Sequence, residues 1–298
     1  MSWQKVRFVH VLTAFVSISM LCMMIFQWFV SYFEVKQTLY TTTSLLNAES
    51  ANKMAVTMST VFRSMDNALK ANAQHIAEQM ESGADIQPHV DHFMESNNFF
   101  NEVIIVEKTG KVVAASDNAS RLLNSVLINE VSQQSLKTRE PAISKPFRSE
   151  TESTIVMMTH PIVSKEGEYY GYLGGTIYLH RSNFLNEIFG TYADNDSGSY
   201  AYVIDQAGHL LYHPDQSRLG EDVSANAIVQ KLIDGGYGCE EVINTRGKVF
   251  VAGYMTVPEN GWGIVVQTPI EAIQAQALRM IFKEILYMLP IFLILLVT

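Results

Sequence analysis

Charged residues are scarce in this sequence of 298 residues: Asp, Glu, Lys and Arg together make up 17% of it, against roughly 25% in an average soluble domain. The hydrophobic fraction, 48%, is ordinary, so the shortage of charge is local and falls at the two ends of the chain. The net charge of −9 argues against nucleic acid as a partner. Cys22 lies in the first uncharged stretch and Cys239 stands alone between the two stretches, which excludes a disulfide within that intervening region.

The first uncharged stretch predicts an uncleaved transmembrane helix over residues 8–31. Its 23 residues from Phe8 to Val30 (FVHVLTAFVSISMLCMMIFQWFV) would form a helix about 34 Å long, enough to cross a hydrocarbon core of about 30 Å. A signal peptide would have a shorter apolar region followed by small residues, whereas this one ends in a cluster of aromatic residues. Because Lys5 and Arg7 precede the span, the positive-inside rule predicts that residues 1–7 are cytoplasmic and that the chain after the span is exported.

The second uncharged stretch, residues 285–298 (ILYMLPIFLILLVT), predicts a second transmembrane helix that is cut near its cytoplasmic end. Residues 271–284 lead into it as an exit helix. Two basic residues in this exit helix, Arg279 and Lys283, lie on the outer side and oppose the usual charge bias mildly. Together the two spans predict a multi-pass protein of the bacterial plasma membrane, with residues 32–280 outside the cytoplasm.

A long helix is predicted directly after the first span. Residues 34–82 contain neither Gly nor Pro, and apolar residues recur every three or four positions on one stripe. These residues are Met58, Phe62, Met65, Leu69, Ala73, Ile76 and Met80. The helix is either a coiled-coil stalk or a dimerising helix that carries a signal to the membrane, and both interpretations favour a homodimer.

The remaining exported chain repeats one order of elements: a hairpin, a helix and a three-stranded meander. The first copy lies in residues 83–190 and the second in residues 191–270. The strand candidates are residues 102–106, 111–115, 142–147, 154–164, 169–179, 200–205, 209–213, 239–244, 248–255 and 262–267. We therefore predict an α+β fold in which a long N-terminal helix carries two tandem modules, each with a five-stranded antiparallel sheet.

Two runs in the second copy carry a family resemblance. Residues 202–215 (YVIDQAGHLLYHPD), with Gly220 soon after, and residues 260–269 (NGWGIVVQTP) resemble the membrane-proximal half of double Cache domains, and the similarity extends over about residues 34–280. The resemblance implies two PAS-like modules that sense small extracellular molecules for a cytoplasmic output. The tract at residues 174–179 (GGTIYL) is most similar to receptors that drive cyclic di-GMP synthesis. The alternatives are a chemoreceptor, a histidine kinase sensor, or a passive membrane-anchored interaction module.

The sequence offers little support for catalysis. It contains no nucleophile elbow, Gly-rich phosphate loop or zinc-protease motif. His209, His213 and Asp215 would share one face of a strand and so could converge on a metal. However, Pro214 ends strand pairing there, and the resemblance implies that this stretch is a structural turn. We therefore expect no catalytic residue, no metal and no cofactor in this chain.

The resemblance places the ligand pocket in the first, membrane-distal module. A pocket for a small polar molecule combines apolar and aromatic walls with a few charged or hydrogen-bonding groups. Alternation puts Met157 and Thr159 on one face of their strand and Val156 and Met158 on the other, and either face could line the pocket. The residues that we predict to bind ligand are Arg139, Phe147, Arg148, Met157, Thr159, Tyr170, Tyr172 and Thr176.

The sequence departs from the amino-acid-binding members of the family that it resembles. Those members carry an Arg-x-Trp-Tyr run and two acidic residues that hold an ammonium group. This sequence lacks the run, and Ser149 and Thr176 occupy the acidic positions, with Arg148 alongside. An α-amino acid is therefore disfavoured and a carboxylate or other anion is favoured. If Arg148 faces the cavity, paired with the ligand or with Glu150, Arg148→Ala should weaken binding by about 2–5 kcal/mol. A change at Lys165 should matter little.

A reporter fusion tests the predicted topology. Because an uncharged span preceded by two basic residues should export the chain on its C-terminal side, an alkaline phosphatase fused after Gly83 should be active in cells. A fusion after Arg7 should be inactive and serves as the control. Cytoplasmic activity of a reporter fused after Gly83 would contradict the whole topology.

Overall fold

The structure, a computed structural model, describes residues 3–149, 153–181, 184–190, 198–244 and 246–297. A single helix, α1 (Trp3–Ser82), runs without a break from the predicted membrane span to the end of the predicted long helix. Within the described chain, α1 is the helix that is long and apolar enough to cross a membrane. An 18-residue window in its Val11–Ser82 portion has a mean hydropathy of 1.9, and none of that window is buried.

The distal module is a six-stranded antiparallel sheet with two helices. Its strands have the order β2-β1-β6-β5-β3, and β4 pairs with β5 beside β3. The elements are α2 (Gln87–Ser96), β1 (Glu102–Glu107), β2 (Val112–Ala115), α3 (Glu130–Thr138), β3 (Ala142–Ile143), β4 (Phe147–Arg148), β5 (Thr154–Val163) and β6 (Tyr169–Tyr178). A 3-10 turn, Asp117–Leu122, comes after β2.

The proximal module is a five-stranded antiparallel sheet of order β8-β7-β11-β10-β9. The helix α4 (Phe184–Phe189) precedes it. Its elements are β7 (Tyr200–Ile204), β8 (Leu210–Tyr212), α5 (Ala227–Ile233), β9 (Tyr237–Ile243), β10 (Val249–Thr256) and β11 (Gly263–Pro269). The last helix, α6 (Ile270–Val297), leads directly out of β11 and packs beside α1, where Ser31 Oγ donates to the Glu284 carboxylate at 3.1 Å.

The predicted α+β fold, with a long helix and two antiparallel sheets, is confirmed. The distal sheet has six strands rather than five because the predicted strand at residues 142–147 is broken into β3 and β4. Pro146 lies in the break, and a proline has no N–H with which to continue strand pairing.

The apolar stripe of α1 packs against the chain's own sheets. Met58, Met65 and Leu69 are at most 1% exposed, and the same core cluster includes residues of both modules. Phe62 makes an edge-to-face contact with Trp262 of the proximal module, with ring centroids 4.8 Å apart. Burial of each such side chain contributes on the order of 1.5–3 kcal/mol to the stability of the fold. Because one cluster contains side chains of α1 and of both modules, α1 forms their common core.

A buried polar contact fixes α1 against the proximal sheet. Asn47 Nδ2 donates to the carbonyl of Val251 at 2.9 Å and also lies 3.2 Å from Thr268 Oγ1. The helix backbone comes so close to β10 here that a Cβ on residue 253 would lie 2.2 Å from the carbonyl carbon of Asn47. Only glycine fits at position 253 without moving the helix away from the sheet.

The substitution Gly253→Ala tests this close contact. We expect it to lower the free energy of unfolding by about 1–3 kcal/mol, because the added methyl group meets backbone atoms that cannot rotate away. The measurement is thermal unfolding of the full chain in detergent. Gly190→Ala is the matched control, since a Cβ on residue 190 meets no atom of the described residues within 4 Å. Equal stability of the two variants would show that α1 does not contact β10 as described.

Candidate functional site

The helix α3 covers one face of the distal sheet. Its N-cap residue is Asn129, whose side chain accepts a hydrogen bond from the Ser132 N–H at 2.8 Å. Its C-cap residue is Arg139, which adopts the left-handed conformation with φ 57°. An Asn cap of this kind satisfies an N–H group that the first turn leaves without a partner. The position and length of α3 are thus set by its own sequence.

Two buried serines of α3 connect it to the sheet. Tyr172 of β6 donates its hydroxyl to Ser132 Oγ at 2.7 Å, and Ser135 shares a hydrogen bond of 3.0 Å with Thr159 of β5. Burial raises the pKa of Tyr172 to about 12, so its hydroxyl keeps its proton and remains a donor. These contacts hold α3 at a constant distance from the two central strands.

An open cavity of about 840 Å³, which we call the outer cavity, lies between α3 and the segment that contains β3 and β4. Apolar and hydroxyl side chains form its floor, notably Phe147, Met157 and Thr159, while Lys145 and Arg148 stand exposed at its mouth. Its other lining residues are Asn129, Glu130, Val131, Gln134, Ser135, Ala142, Ile143, Ser144, Pro146, Gln206 and His209. The last two extend from the β7–β8 turn of the proximal module.

A smaller inner chamber of about 50 Å³ shares Asn129, Phe147 and Met157 with the outer cavity. Its other lining residues are Glu102, Ile104, Arg121, Leu122, Leu127, Ser149, Ile155 and Thr176. The two spaces together have the volume of an ordinary small-molecule site, and both contain apolar walls with a few polar groups.

An ion pair between the exposed Arg121 and the buried Glu102 forms part of the inner chamber. Arg121 donates through two nitrogens to both carboxylate oxygens of Glu102, at 2.8 and 3.2 Å, and Tyr178 donates its hydroxyl to the same carboxylate at 3.0 Å. Hydrogen bonding to Glu102 raises the pKa of Arg121. The carboxylate is only 4% exposed and accepts three hydrogen bonds, so its charge is balanced by the protein itself.

The structure decides which face of β5 lines the cavity. Ile155, Met157 and Thr159 point to the cavity side, whereas Val156 and Met158 belong to the core cluster that packs on α1. The apolar stripe of α1 packs against the Val156 and Met158 side of β5, so the outer cavity and the inner chamber form on the opposite face.

Five of the eight predicted ligand-binding residues line the two spaces. Phe147, Arg148, Met157 and Thr159 line the outer cavity, and Phe147, Met157 and Thr176 line the inner chamber. Tyr172 lies beneath α3 and holds Ser132. Residue Glu150, the partner suggested for Arg148, lies outside the described residues.

Arg139 and Tyr170 are placed elsewhere. The Arg139 guanidinium lies over the ring of Tyr169, 4.9 Å from its centroid, outside the described lining of both spaces. Tyr170 packs against the core cluster of α1, because an irregularity in the β5–β6 pairing inserts one extra residue there. Gly171, at φ 147°, reaches the backbone of β1 so closely that a side chain could not fit. Tyr170 thus lies outside the described lining of both spaces, and its contact with a ligand stays a prediction.

Sequence reasoning missed the polar residues at the deep end of the site. Arg121 comes from a 3-10 turn, and Glu102 is the first residue of a predicted strand. No local pattern brings these two together. The position of Asn129 could have been found, because Asn followed by an acidic residue is typical of a helix start.

The three side chains considered for a metal each have a protein partner. His209 Nδ1 lies 3.1 Å from the Asp205 carboxylate, and Asp215 pairs with Arg246 at 2.8 Å. His213 Nδ1 accepts a hydrogen bond from the Asp215 N–H at 2.9 Å. Among the described residues there is no group of three His, Cys, Asp or Glu side chains suited to a metal.

Comparison with known proteins identifies similar domains over most of the chain. The family described as Cache domain (dCache_1) matches residues 32–277. None of the curated proteins matches the chain in sequence.

Among solved structures, the periplasmic sensory domain of the chemoreceptor Tlp1 from Campylobacter jejuni has a TM-score of 0.62 at 14% identity, covering 79% of this chain and 98% of that one. The ligand binding domain of the chemoreceptor PctB from Pseudomonas aeruginosa, in complex with L-Gln, has a TM-score of 0.58 at 16% identity, covering 78% and 93%. An extracellular ligand binding receptor from Desulfohalobium retbaense has a TM-score of 0.59 at 16% identity; 74% of this chain aligns with it, but only 39% of that receptor is spanned. Extracellular domains of histidine kinases are similar in the same way. At these identities the likeness shows a shared fold.

The buried His213 should make the stability of the proximal module depend on pH. Burial, and then the neighbouring Arg218 charge, lower its pKa to about 4 from an ordinary 6.5. Between those values the unfolded chain binds a proton that the folded chain does not, so the stability present above pH 6.5 is lost as the pH falls towards 4. We expect a loss of about 2–3 kcal/mol from this group, after allowing for partial screening by solvent.

Thermal unfolding of the full chain between pH 6.5 and 4 measures this effect. The His213→Gln variant should lose less stability over that range than the wild type. His92→Gln, at an exposed histidine, should keep the wild-type dependence. Identical pH profiles for wild type and His213→Gln would mean that His213 is protonated as readily in the folded state as in the unfolded one.

Proposed function

The chain belongs to the double Cache (dCache) family of extracytoplasmic sensor domains, and on that premise we propose that it senses a small anionic molecule, with a carboxylate favoured, for a bacterial transmembrane receptor. Domains of this kind are sensor modules of membrane receptors rather than catalytic modules. The observation that carries the proposal is the outer cavity, which has an apolar floor around Phe147 and Met157 and two cationic side chains, Lys145 and Arg148, at its mouth.

The charges around the cavity support an anionic ligand. Glu130 is the carboxylate among the described lining residues of the outer cavity, and the same lining contains two cationic side chains, Lys145 and Arg148. In the inner chamber Arg121 and Glu102 balance each other. The remaining positive charge favours an anion, and the planar guanidinium of Arg148 can donate to both oxygens of a carboxylate.

Relatives of this fold are known in complex with amino acids and related amines: the PctB domain with L-Gln, the Mlp24 domain with asparagine and the PctC domain with GABA. An α-amino acid would need a carboxylate for its ammonium group, and the carboxylate in the lining of the outer cavity, Glu130, is outnumbered there by the two cations Lys145 and Arg148. Glu102 already accepts three hydrogen bonds, and Ser149 and Thr176 supply no charge to the inner chamber. We therefore favour a carboxylate without an α-ammonium group.

The route of the signal is suggested by the packing. The strand β5 lines the cavity with one face and packs on α1 with the other, so a ligand that shifts β5 also shifts the helix that enters the membrane. We propose that α6 continues into a second membrane crossing and that the output is cytoplasmic. The tract at residues 174–179 favours a diguanylate cyclase, whereas the solved relatives are chemoreceptors and histidine kinases; a passive interaction module would need no such cavity.

A thermal-shift screen of the full chain in detergent tests the proposed function. The panel contains carboxylates such as succinate, malate and citrate, together with L-Gln and asparagine. A ligand present at 100 times its dissociation constant should add about 2.7 kcal/mol of stability. Stabilisation by the amino acids but by none of the carboxylates would overturn the anionic assignment, and no stabilisation by any compound would favour the passive module.

Replacing Arg148 locates the bound anion. Since Arg148 stands exposed at the mouth, Arg148→Ala should weaken binding of the carboxylate found in the screen by roughly 1–2 kcal/mol, less than for a buried pair. Calorimetry measures the affinity. Lys165→Ala is the control, because Lys165 lies on an exposed turn and pairs with Glu78 of α1. Unchanged affinity in Arg148→Ala would exclude Arg148 from the site.

Crosslinking tests the proposed homodimer. Leu45 and Leu46 are 68% and 55% exposed on α1 near the membrane, where a partner helix would bury them. In a chain with both native cysteines replaced by serine, Leu45→Cys or Leu46→Cys should form disulfide-linked dimers in membranes. Lys165→Cys, far along the molecule, should remain monomeric. If neither helix position crosslinks, α1 does not dimerise along this face.

A further inference from the structure

A second cavity, which we call the module cleft, lies where α1 and both modules meet. It has a volume of about 480 Å³. Its lining residues are Phe62, Arg63, Asp66 and Asn67 of α1, Pro141, Ala142, Ile143, Met158 and Thr159 of the distal module, and Gln206, Glu259 and Asn260 of the proximal module. Ala142, Ile143, Thr159 and Gln206 also line the outer cavity, so the two spaces adjoin and share one wall, while the α1 wall belongs to the module cleft.

One residue in the lining of the cleft carries a buried donor that has no partner among the described residues. Asn260 is 8% exposed, and its Nδ2 is a buried donor without a hydrogen bond to any described residue. The orientation of its amide is set locally, because Oδ1 accepts from the Trp262 N–H at 3.1 Å. The backbone carbonyl of Asn260 in turn accepts from Gln206 Nε2 at 2.6 Å. A buried N–H without a partner costs on the order of 1–3 kcal/mol, and an acceptor placed in the cleft would remove that cost.

The cleft also carries an unbalanced negative charge. Arg63 lies 3.7 Å from Glu259, which also accepts a hydrogen bond from Ser59, so these two charges offset each other. Asp66, one turn further along α1, is half-buried and forms no ion pair with any residue in the described ranges. It is the charge left for a ligand to neutralise.

We propose that the module cleft binds a small organic cation that also carries a hydrogen-bond acceptor. The cationic group pairs with Asp66, the acceptor receives the hydrogen bond from Asn260 Nδ2, and a short aliphatic body packs on Phe62, Ile143 and Met158. This site is separate from the anion site in the outer cavity and does not depend on it. Because its ligand contacts α1, the distal module and the proximal module together, occupancy stabilises one arrangement of the three.

The test uses the full chain in detergent micelles and two probes, glycinamide and ethylamine. Both carry an ammonium group, but only glycinamide carries a carbonyl acceptor. Titration followed by calorimetry or ligand-observed NMR should give saturable binding of glycinamide and weaker binding of ethylamine. Asp66→Asn should lower the affinity for both probes by about tenfold or more, the loss expected when one partner of a hydrogen-bonded charge pair is removed. Glu49→Gln, at an exposed acid on the same helix, should change neither.

Asn260→Asp keeps the Oδ1 acceptor for Trp262 but replaces the donor with an acceptor. It should therefore lower the ratio of glycinamide affinity to ethylamine affinity by roughly tenfold, a change that general loss of structure does not produce. Absence of saturable glycinamide binding to the wild type, or a ratio unchanged in Asn260→Asp, would overturn the proposal. So would loss of binding in Phe147→Ala with retention in Asp66→Asn, because the probe would then occupy the distal site. None of these outcomes bears on carboxylate binding at the mouth of the outer cavity.

Discussion

The structure depends on one packing constraint: the apolar stripe of α1 is buried by two sheets at once. Each sheet must bury one apolar face, and α1 packs against the apolar faces of both sheets with a single row of side chains. Residues such as Met58 and Phe62 sit near the junction of the modules, where Phe62 meets Trp262. Burial of these side chains is worth several kcal/mol in sum, so neither module can leave the helix without exposing the core that both share.

This arrangement explains where a ligand can act. With one face of the distal sheet committed to α1, the site forms on the other, under a helix that is held by the Tyr172–Ser132 and Ser135–Thr159 hydrogen bonds. The strand β5 connects the two faces through one backbone. A displacement of a few tenths of an ångström at the cavity therefore reaches a close-packed helix, and close-packed interiors transmit strain rather than absorb it.

The polar groups divide the interior into balanced and unbalanced regions. Glu102 and Arg121 neutralise each other at the inner chamber of the distal module, and Arg63 and Glu259 do so at the edge of the module cleft. The charges that remain are positive at the mouth of the outer cavity and negative at Asp66. Two neighbouring spaces thus differ in the sign of the ligand that they favour, although they share the wall formed by β3.

The sequence by itself determined the elements whose signal is local. An uncharged run, a stripe of period 3.6 and two hairpin-plus-meander patterns were enough for α1 and both sheets, and the runs at residues 202–215 and 260–269 carried the family resemblance. The helix α2 was missed because it is only 10 residues long and two of them, Val90 and Phe93, are buried, too few for a clear apolar stripe. For the site, alternation defined two faces of β5 but not the one that α1 covers. Only tertiary contacts decided which face of β5 lines the cavity. They also decided that an extra residue in the β5–β6 pairing turns Tyr170 towards α1, and that Arg121 pairs with Glu102. Each of these features depends on residues that are far apart in the chain.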